Sequence, residues 1–306
     1  MRFQLRPDGP LDFDQTLARY RIWGEDPASR LVGRTFRRAV SVGGRLHGYE
    51  LSWAGSVNDP RLIITVPGTR SGRVAETVTG EVSRLLFLDA DLPGFYRMAK
   101  SDRVLGELIR PLYGTRPTLA PAPFEMLVGA ISAQQVNLAF AFTTRSRLVR
   151  RFGRPVDVGG HTVYGFPEPA VIARSKVGEL RALQFSTRKA EYIVGLARLV
   201  ASGALDLDRL MNCSNEEVIA ELTNVRGLGL WTAEWFLARA VGRGDVCPAG
   251  DLGVRKAFER FYGRGRPLSD RAIRQRARRW GPYQNLAVHY LLAGLRLHRT
   301  RTGGGA

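Results

Sequence analysis

The sequence predicts an α+β fold that is mostly α, with a small antiparallel sheet domain at the N-terminus and helical parts behind it. Three observations predict it. Within roughly the first 100 residues lie short runs rich in β-branched and aromatic residues, FRRAVSV, HGYELSWAG and RLIITVPG, parted by Gly-Gly and Asn-Asp-Pro turn signals. A proline-marked stretch, RPTLAPAP at residues 116–123, then interrupts the chain. Beyond it, apolar residues recur at spacings of three and four.

Taken in order, the three runs predict a small antiparallel sheet, and the pattern over residues 77–88 predicts a helix backing it. The proline stretch sets a boundary near residue 115, which assigns residues 1–115 to the sheet domain. Phe124, Leu127, Val128 and Ile131 form the stripe of a core-facing helix, and the texture is expected to stay helical from there on. A second helix carries Ala190, Ile193, Val194, Ala197 and Val200 and stops at Gly203. A third starts at Ser214, whose Glu217 three residues on is a capping-box signature, and shows Val218, Ile219 and Leu222 on one face. Residues 116–245 are thus read as a helical domain and 246–300 as a C-terminal helical part. The glycine-rich end, 301–306, is read as a disordered tail.

With 306 residues and 44% hydrophobic content the chain can bury a sizeable core. A formal net charge of +18 exceeds what solubility needs and implies a polyanionic partner, most simply nucleic acid. Only Lys100, Lys176, Lys189 and Lys256 are lysines, so the charge is almost all guanidinium, which suits bidentate phosphate contacts. Two cysteines, Cys213 and Cys247, cannot complete a zinc or iron–sulfur site, and the four histidines show no metal-ligand spacing. The N-terminus lacks an apolar stretch, and the most apolar window, 124–142, contains Glu125, Gln134, Gln135 and Asn137. The expectation is a cytoplasmic, nucleoid-associated protein that is neither secreted nor membrane-spanning.

The informative stretch is ELTNVRGLGLWTAEWF, residues 221–236. Gly227 and Gly229 stand between two helices, without the preceding strand and further glycine that a dinucleotide-binding loop requires. A helix-turn-helix joint leaves N–H groups of the turn and of the next helix's first turn free to donate to a phosphate oxygen. On its own, a Gly-Leu-Gly is as well read as a plain turn between helices. Trp231 and Trp235, one helical turn apart, are on their own as well read as core, and Asp251 as an N-cap for a helix striped by Val254, Phe258 and Phe261. The run RAIRQRARRW, residues 271–280, reads either as a solvated helix face or as a phosphate-contacting one.

Together these residues resemble the helix-hairpin-helix DNA glycosylase superfamily, and most closely its 3-methyladenine DNA glycosylase II branch. The family hairpin is matched by Val225, Arg226, Gly227, Leu228, Gly229, Leu230, Trp231, Thr232 and Ala233, and the family's aspartate about twenty residues on falls at Asp251 in DVCPAGDLGVRKAF. The resemblance covers about two thirds of the chain, from PFEMLVGAISAQQVN through RRWGPYQNLAVHYLLAGL.

The resemblance implies two helical subdomains with a DNA-binding cleft between them. It implies Asp251 as the catalytic carboxylate and a base pocket walled by Trp231, Trp235 and Leu292, the last standing where the branch has a third aromatic. The two indoles would offer their faces to an extruded, cationic base. Gly227, Gly229 and Thr232 would bind the DNA backbone, and Gln135 would fill the gap left by the base where the branch commonly has leucine. Main-chain carbonyls of Thr223, Val225 and Leu228 would hold a structural Na+ or K+, with no other cofactor. Lyase-capable members carry a lysine where this chain has Trp231, which implies a monofunctional glycosylase. The expected partner is double-stranded DNA containing damaged bases, and the expected state is a monomer. Another lesion, such as hypoxanthine or uracil, and a non-catalytic damage sensor are the alternatives.

Overall fold

The structure, a computed structural model, describes residues 1–302. Strands β1 (Arg2–Leu5), β2 (Arg30–Val32), β3 (Thr35–Val42), β4 (Arg45–Gly55) and β5 (Pro60–Thr65) form one antiparallel sheet in the order β1-β5-β4-β3-β2. The three expected runs are β3, β4 and β5, while the short edge strands β1 and β2 carry too few residues to show a period. Gly43 and Gly44, both at positive φ, make the tight turn that sets the β3–β4 register from Val42 opposite Arg45 to Phe36 opposite Leu51. Single-turn helices α1 (Phe13–Thr16) and α2 (Arg19–Ile22) precede β2, and α3 (Gly72–Leu85) follows β5. Val74, Val78, Val82 and Leu85 on one face of α3 meet Phe36, Leu51, Leu62 and Ile64 in a closed core.

The helices that follow are α4 (Leu92–Ala99), α5 (Arg103–Leu112), α6 (Pro123–Ala133) and α7 (Leu138–Phe152). Next come α8 (Pro169–Ala173), α9 (Val177–Ala182), α10 (Thr187–Ala201), α11 (Leu207–Leu210), α12 (Asn215–Thr223) and α13 (Leu230–Phe236). The chain closes with α14 (Leu252–Phe261), α15 (Asp270–Ala277) and α16 (Gln284–Thr302). Because α16 runs through Thr302, the tail expected from residue 301 begins inside a helix, and residues 303–306 lie outside the described residues.

The texture does not stay helical after residue 116. β6 (Pro155–Val158) and β7 (His161–Tyr164) form a hairpin turned by Gly159 and Gly160, again both at positive φ. Val158 and Val163 bury against Ala39 of the sheet. Gly48 in β4 makes room for them, since a Cβ there would stand 2.2 Å from a Val158 methyl. The alternation of VDVGGHTVY was available in the sequence, but four-residue strands are too short to outweigh the helical flanks.

Two further cores flank the site. One gathers α6, α7, α10, α12 and α13 around Leu127, Ile131, Ile193, Leu222 and Phe236. The other joins α14, α15 and α16 to α4 and α5, so helices placed with the sheet domain in the sequence share the C-terminal core through Leu105, Leu108 and Leu112. Trp235 packs against both.

The sheet is fastened to the helical cores by buried charge. Glu125 on α6 accepts from Arg38 of β3 at 2.5 Å and from Arg145 of α7 at 2.6 Å, and Arg145 also pairs with Asp26 at 2.6 Å. All four side chains are buried. Removing one member leaves the others charged and dry, so Glu125→Leu is expected to cost about 3–5 kcal/mol in urea denaturation. The exposed Arg103–Glu107 pair, cut by Glu107→Ala, should change the same measurement by less than about 1 kcal/mol.

Candidate active site

The hairpin is built from its caps inward. Ser214 and Glu217 close the expected capping box at the start of α12: the Glu217 N–H donates to Ser214 Oγ and the Ser214 N–H to Glu217 Oε2. At its end, Val225 N–H donates to the Leu222 carbonyl and Leu228 N–H to the Val225 carbonyl, which folds the chain back with Leu228 buried. Gly227 sits at φ +95°, and a Cβ there would lie 2.3 Å from the Tyr192 ring. Gly229, at φ −116° and the N-cap of α13, faces open space. The two glycines therefore differ: the turn and Tyr192 require the first, and only the second leaves an unobstructed approach to the backbone. Thr232, expected to touch DNA, buries its side chain, so only its main-chain N–H in the first turn of α13 is available for that role.

Trp231, Trp235 and Asp251, expected to share one site, do meet there. Asp251 is the N-cap of α14, with Oδ1 accepting from the Val254 N–H at 3.0 Å. Its other oxygen, Oδ2, accepts from Trp231 Nε1 at 2.8 Å and from Trp235 Nε1 at 3.1 Å. Cap and site are thus one carboxylate. The indoles turn their N–H edges to the aspartate, and the Arg239 guanidinium lies 5.0 Å from the centre of the Trp235 ring. Helical spacing places both tryptophans on one face but leaves their χ angles open, so the two indole N–H bonds to Asp251 could not be read from the sequence.

Arg239 is held by Asn285 Oδ1 and by the Ala238 carbonyl. It lies in the wide i→i+5 turn Leu237–Val241 that extends α13, a geometry that recurs at functional sites. Burial, with the charges of Arg19 and Arg296, pulls its pKa down to about 9, so it stays cationic at neutral pH. Burial and the same three guanidinium groups push His289 well below the usual imidazole range.

Leu292 stands beside the aspartate. A Cβ added at Gly253 would come within 3.1 Å of Asp251 Oδ1 and 3.3 Å of Leu292 Cδ2, so Gly253 keeps that oxygen reachable. Trp280, Tyr283 and Tyr290, the aromatics nearest in sequence, are engaged elsewhere, with Asp102, Asp91 and Thr115 respectively. Asp245, the competing carboxylate, is exposed and accepts from Asn215. Cys247 is buried and its thiol is pushed up to about 12, mainly by desolvation, which removes it as a nucleophile. Gln135 is exposed in the turn between α6 and α7, at φ +54°. Among the described residues no group of His, Cys, Asp and Glu side chains is suited to a metal ion, and no helix is long and apolar enough to cross a membrane. Sequence reasoning missed Gly253 and Arg239; the latter could have been found four residues after Trp235, on the same helical face.

Residues 128–282 match the family described as HhH-GPD superfamily base excision DNA repair protein. A DNA-3-methyladenine glycosylase of Bacillus subtilis is 34% identical over 204 residues, which is 67% of this chain and 67% of that protein. DNA-3-methyladenine glycosylase 2 of Escherichia coli is 28% identical over 168 residues, covering 55% of this chain and 56% of its own length. The solved structure of a 3-methyladenine DNA-glycosylase from Archaeoglobus fulgidus superposes with a TM-score of 0.86 at 29% identity, over 97% of this chain and 99% of that one.

Gly227→Ala should lower stability by about 1–3 kcal/mol, because both φ and Tyr192 oppose a side chain, while Gly229→Ala should stay within about 1 kcal/mol; thermal denaturation compares them. A His289 held neutral in the folded state must gain a proton on unfolding below about pH 6.5, so stability falls as pH drops through that value. Melting temperatures of His289→Gln, followed from pH 7.5 to pH 5.5, should fall less than those of the parent.

Proposed function

The chain belongs to the HhH-GPD superfamily of base excision DNA repair proteins and is a DNA glycosylase, and we propose that it hydrolyses the N-glycosidic bond of alkylated purines of the 3-methyladenine type in double-stranded DNA. The observation that carries this reading is the hold of two indole N–H groups and one main-chain N–H on the Asp251 carboxylate. A base stacked in duplex DNA hides its glycosidic bond, so the nucleotide is extruded first, with Gln135 entering the gap. DNA lies in a cleft between the helical part carrying the hairpin, 116–245, and the part carrying Asp251, 246–300, with Gly229 and the Thr232 N–H on the phosphates and Gly227 shaping the turn that presents them.

At the sugar, the bond between C1′ and the base nitrogen breaks with its electron pair going to the base, which neutralises a cationic alkylpurine. No general acid is then needed. Asp251 faces the developing oxocarbenium charge and orients the water that adds to C1′, whose proton leaves to solvent. Trp231 occupies the place of a Schiff-base lysine, so the abasic strand stays intact. Thr223 is the last helical residue of α12, beyond the reach of the helical hydrogen-bond ladder, and its carbonyl, with those of Val225 and Leu228, would hold a Na+ or K+ that steadies the turn next to phosphate. The protein acts as a monomer.

One observation favours a second reading, a neutral lesion such as hypoxanthine: Arg239 already occupies a face of Trp235 where a cationic base would gain most, and Leu292 supplies no third ring.

Randomly methylated duplex DNA tests the proposal when the released bases are separated by chromatography. Methylpurines should appear without strand cleavage unless alkali is added. Absence of any freed base contradicts the reading, and nicking without alkali contradicts monofunctionality. Asp251→Asn should lower base release at least about 100-fold while DNA binding is retained.

A further inference from the structure

We propose that Gln134 and Lys189 are positioning residues that brace the Gln135 turn against the hairpin, so that the gap-filling and phosphate-gripping elements act as one body. The proposal rests on the base-extruding reading above. Its starting point is Gln135 itself, which bears a side chain yet sits in the left-handed region at φ +54°. Such a residue persists only where its flanks are fixed.

Both flanks are fixed. On one side, Gln134 Nε2 donates to the Gly227 carbonyl at 2.8 Å, a bond that spans 93 positions in sequence and joins the turn directly to the hairpin. On the other, Asn137 caps α7 by accepting from the Phe140 N–H at 2.8 Å. The end of α6 has carbonyls without helical partners, and Lys189 Nζ donates to one of them, that of Ser132, at 2.9 Å. Desolvation lowers the Lys189 pKa, in keeping with an ammonium turned into the protein.

Lys189 lies on α10, and one turn further along the same helix Tyr192 packs on Gly227. The hairpin turn is tied there too, since Arg226 pairs with Glu191 at 2.9 Å and lies over the Tyr192 ring. α10 therefore touches the end of α6 through Lys189 and the hairpin through Tyr192, and Gln134 closes the loop between them. A gap-filling side chain must enter the stack at a set distance from the gripped phosphates, and small misplacements are costly in rate. The brace should matter most where the base must be pulled from a pair and least where the base is already unpaired.

The test measures single-turnover release of 7-methylguanine from two duplexes, one with the lesion paired to cytosine and one with it opposite an abasic-site analogue. Gln134→Met, similar in size but without the donor, should slow release from the paired duplex about fivefold to tenfold, the size expected for one hydrogen bond, and leave the unpaired duplex within about twofold. Lys189→Met should show the same asymmetry and stands in if Gln134→Met does not fold. Equal slowing on both duplexes, or no slowing on either, overturns the brace while leaving the glycosylase reading intact. Failure of the parent protein to release base from either duplex overturns that reading, and the brace with it.

Discussion

Three N–H groups from two helices converge on one carboxylate, and the candidate site is organised by that convergence. Val254 supplies a main-chain donor to Oδ1 of Asp251, and Trp231 and Trp235 supply indole donors to Oδ2. A carboxylate offers about four acceptor positions, so the one that remains lies on Oδ1, the oxygen that Gly253 leaves open beside Leu292. The two oxygens divide the contacts: Oδ2 takes both indole donors, while Oδ1 takes the helix cap and keeps the open position.

That division depends on how the cores are arranged. α13 brings the indoles from the core built on α6, α10 and α12, and α14 brings the aspartate from the core built on α5 and α16. Trp235 packs against both cores, so the carboxylate's bonds also fix the junction between them. Arg239 extends the set: its guanidinium lies against Trp235 and is tied to Asn285 at the start of α16. The buried pairs around Glu125 fasten α6 and α7 to the sheet, and α6 carries the turn that presents Gln135.

Much of this was legible in the sequence because it depends on residue type and spacing. Ser214 and Glu217 announce the capping box, Gly227 announces a turn, and Asp251 before an apolar stripe announces a cap. The resemblance carried by the hairpin added the chemistry. What depends on torsion or on distant partners was not legible. Spacing put Trp231 and Trp235 on one face without saying that their edges, rather than their faces, meet Asp251. Thr232 has a polar side chain that the fold buries, and Gln134 reaches a carbonyl 93 positions away. The β6–β7 hairpin carries a Gly-Gly signal like that of β3–β4, but its strands are short and its stabilising surface, around Ala39 and Gly48, lies far off in the chain.

If the indole donors hold the carboxylate in its working orientation, removing them while keeping aromatic rings should separate binding from chemistry. The most direct measurement is single-turnover base release from methylated duplex by Trp231→Phe/Trp235→Phe. Hydrogen bonds to a charged group contribute about 1.5–3 kcal/mol each, so the rate should fall about 100-fold or more with DNA binding retained. A double variant that releases base at the parent rate would contradict the account.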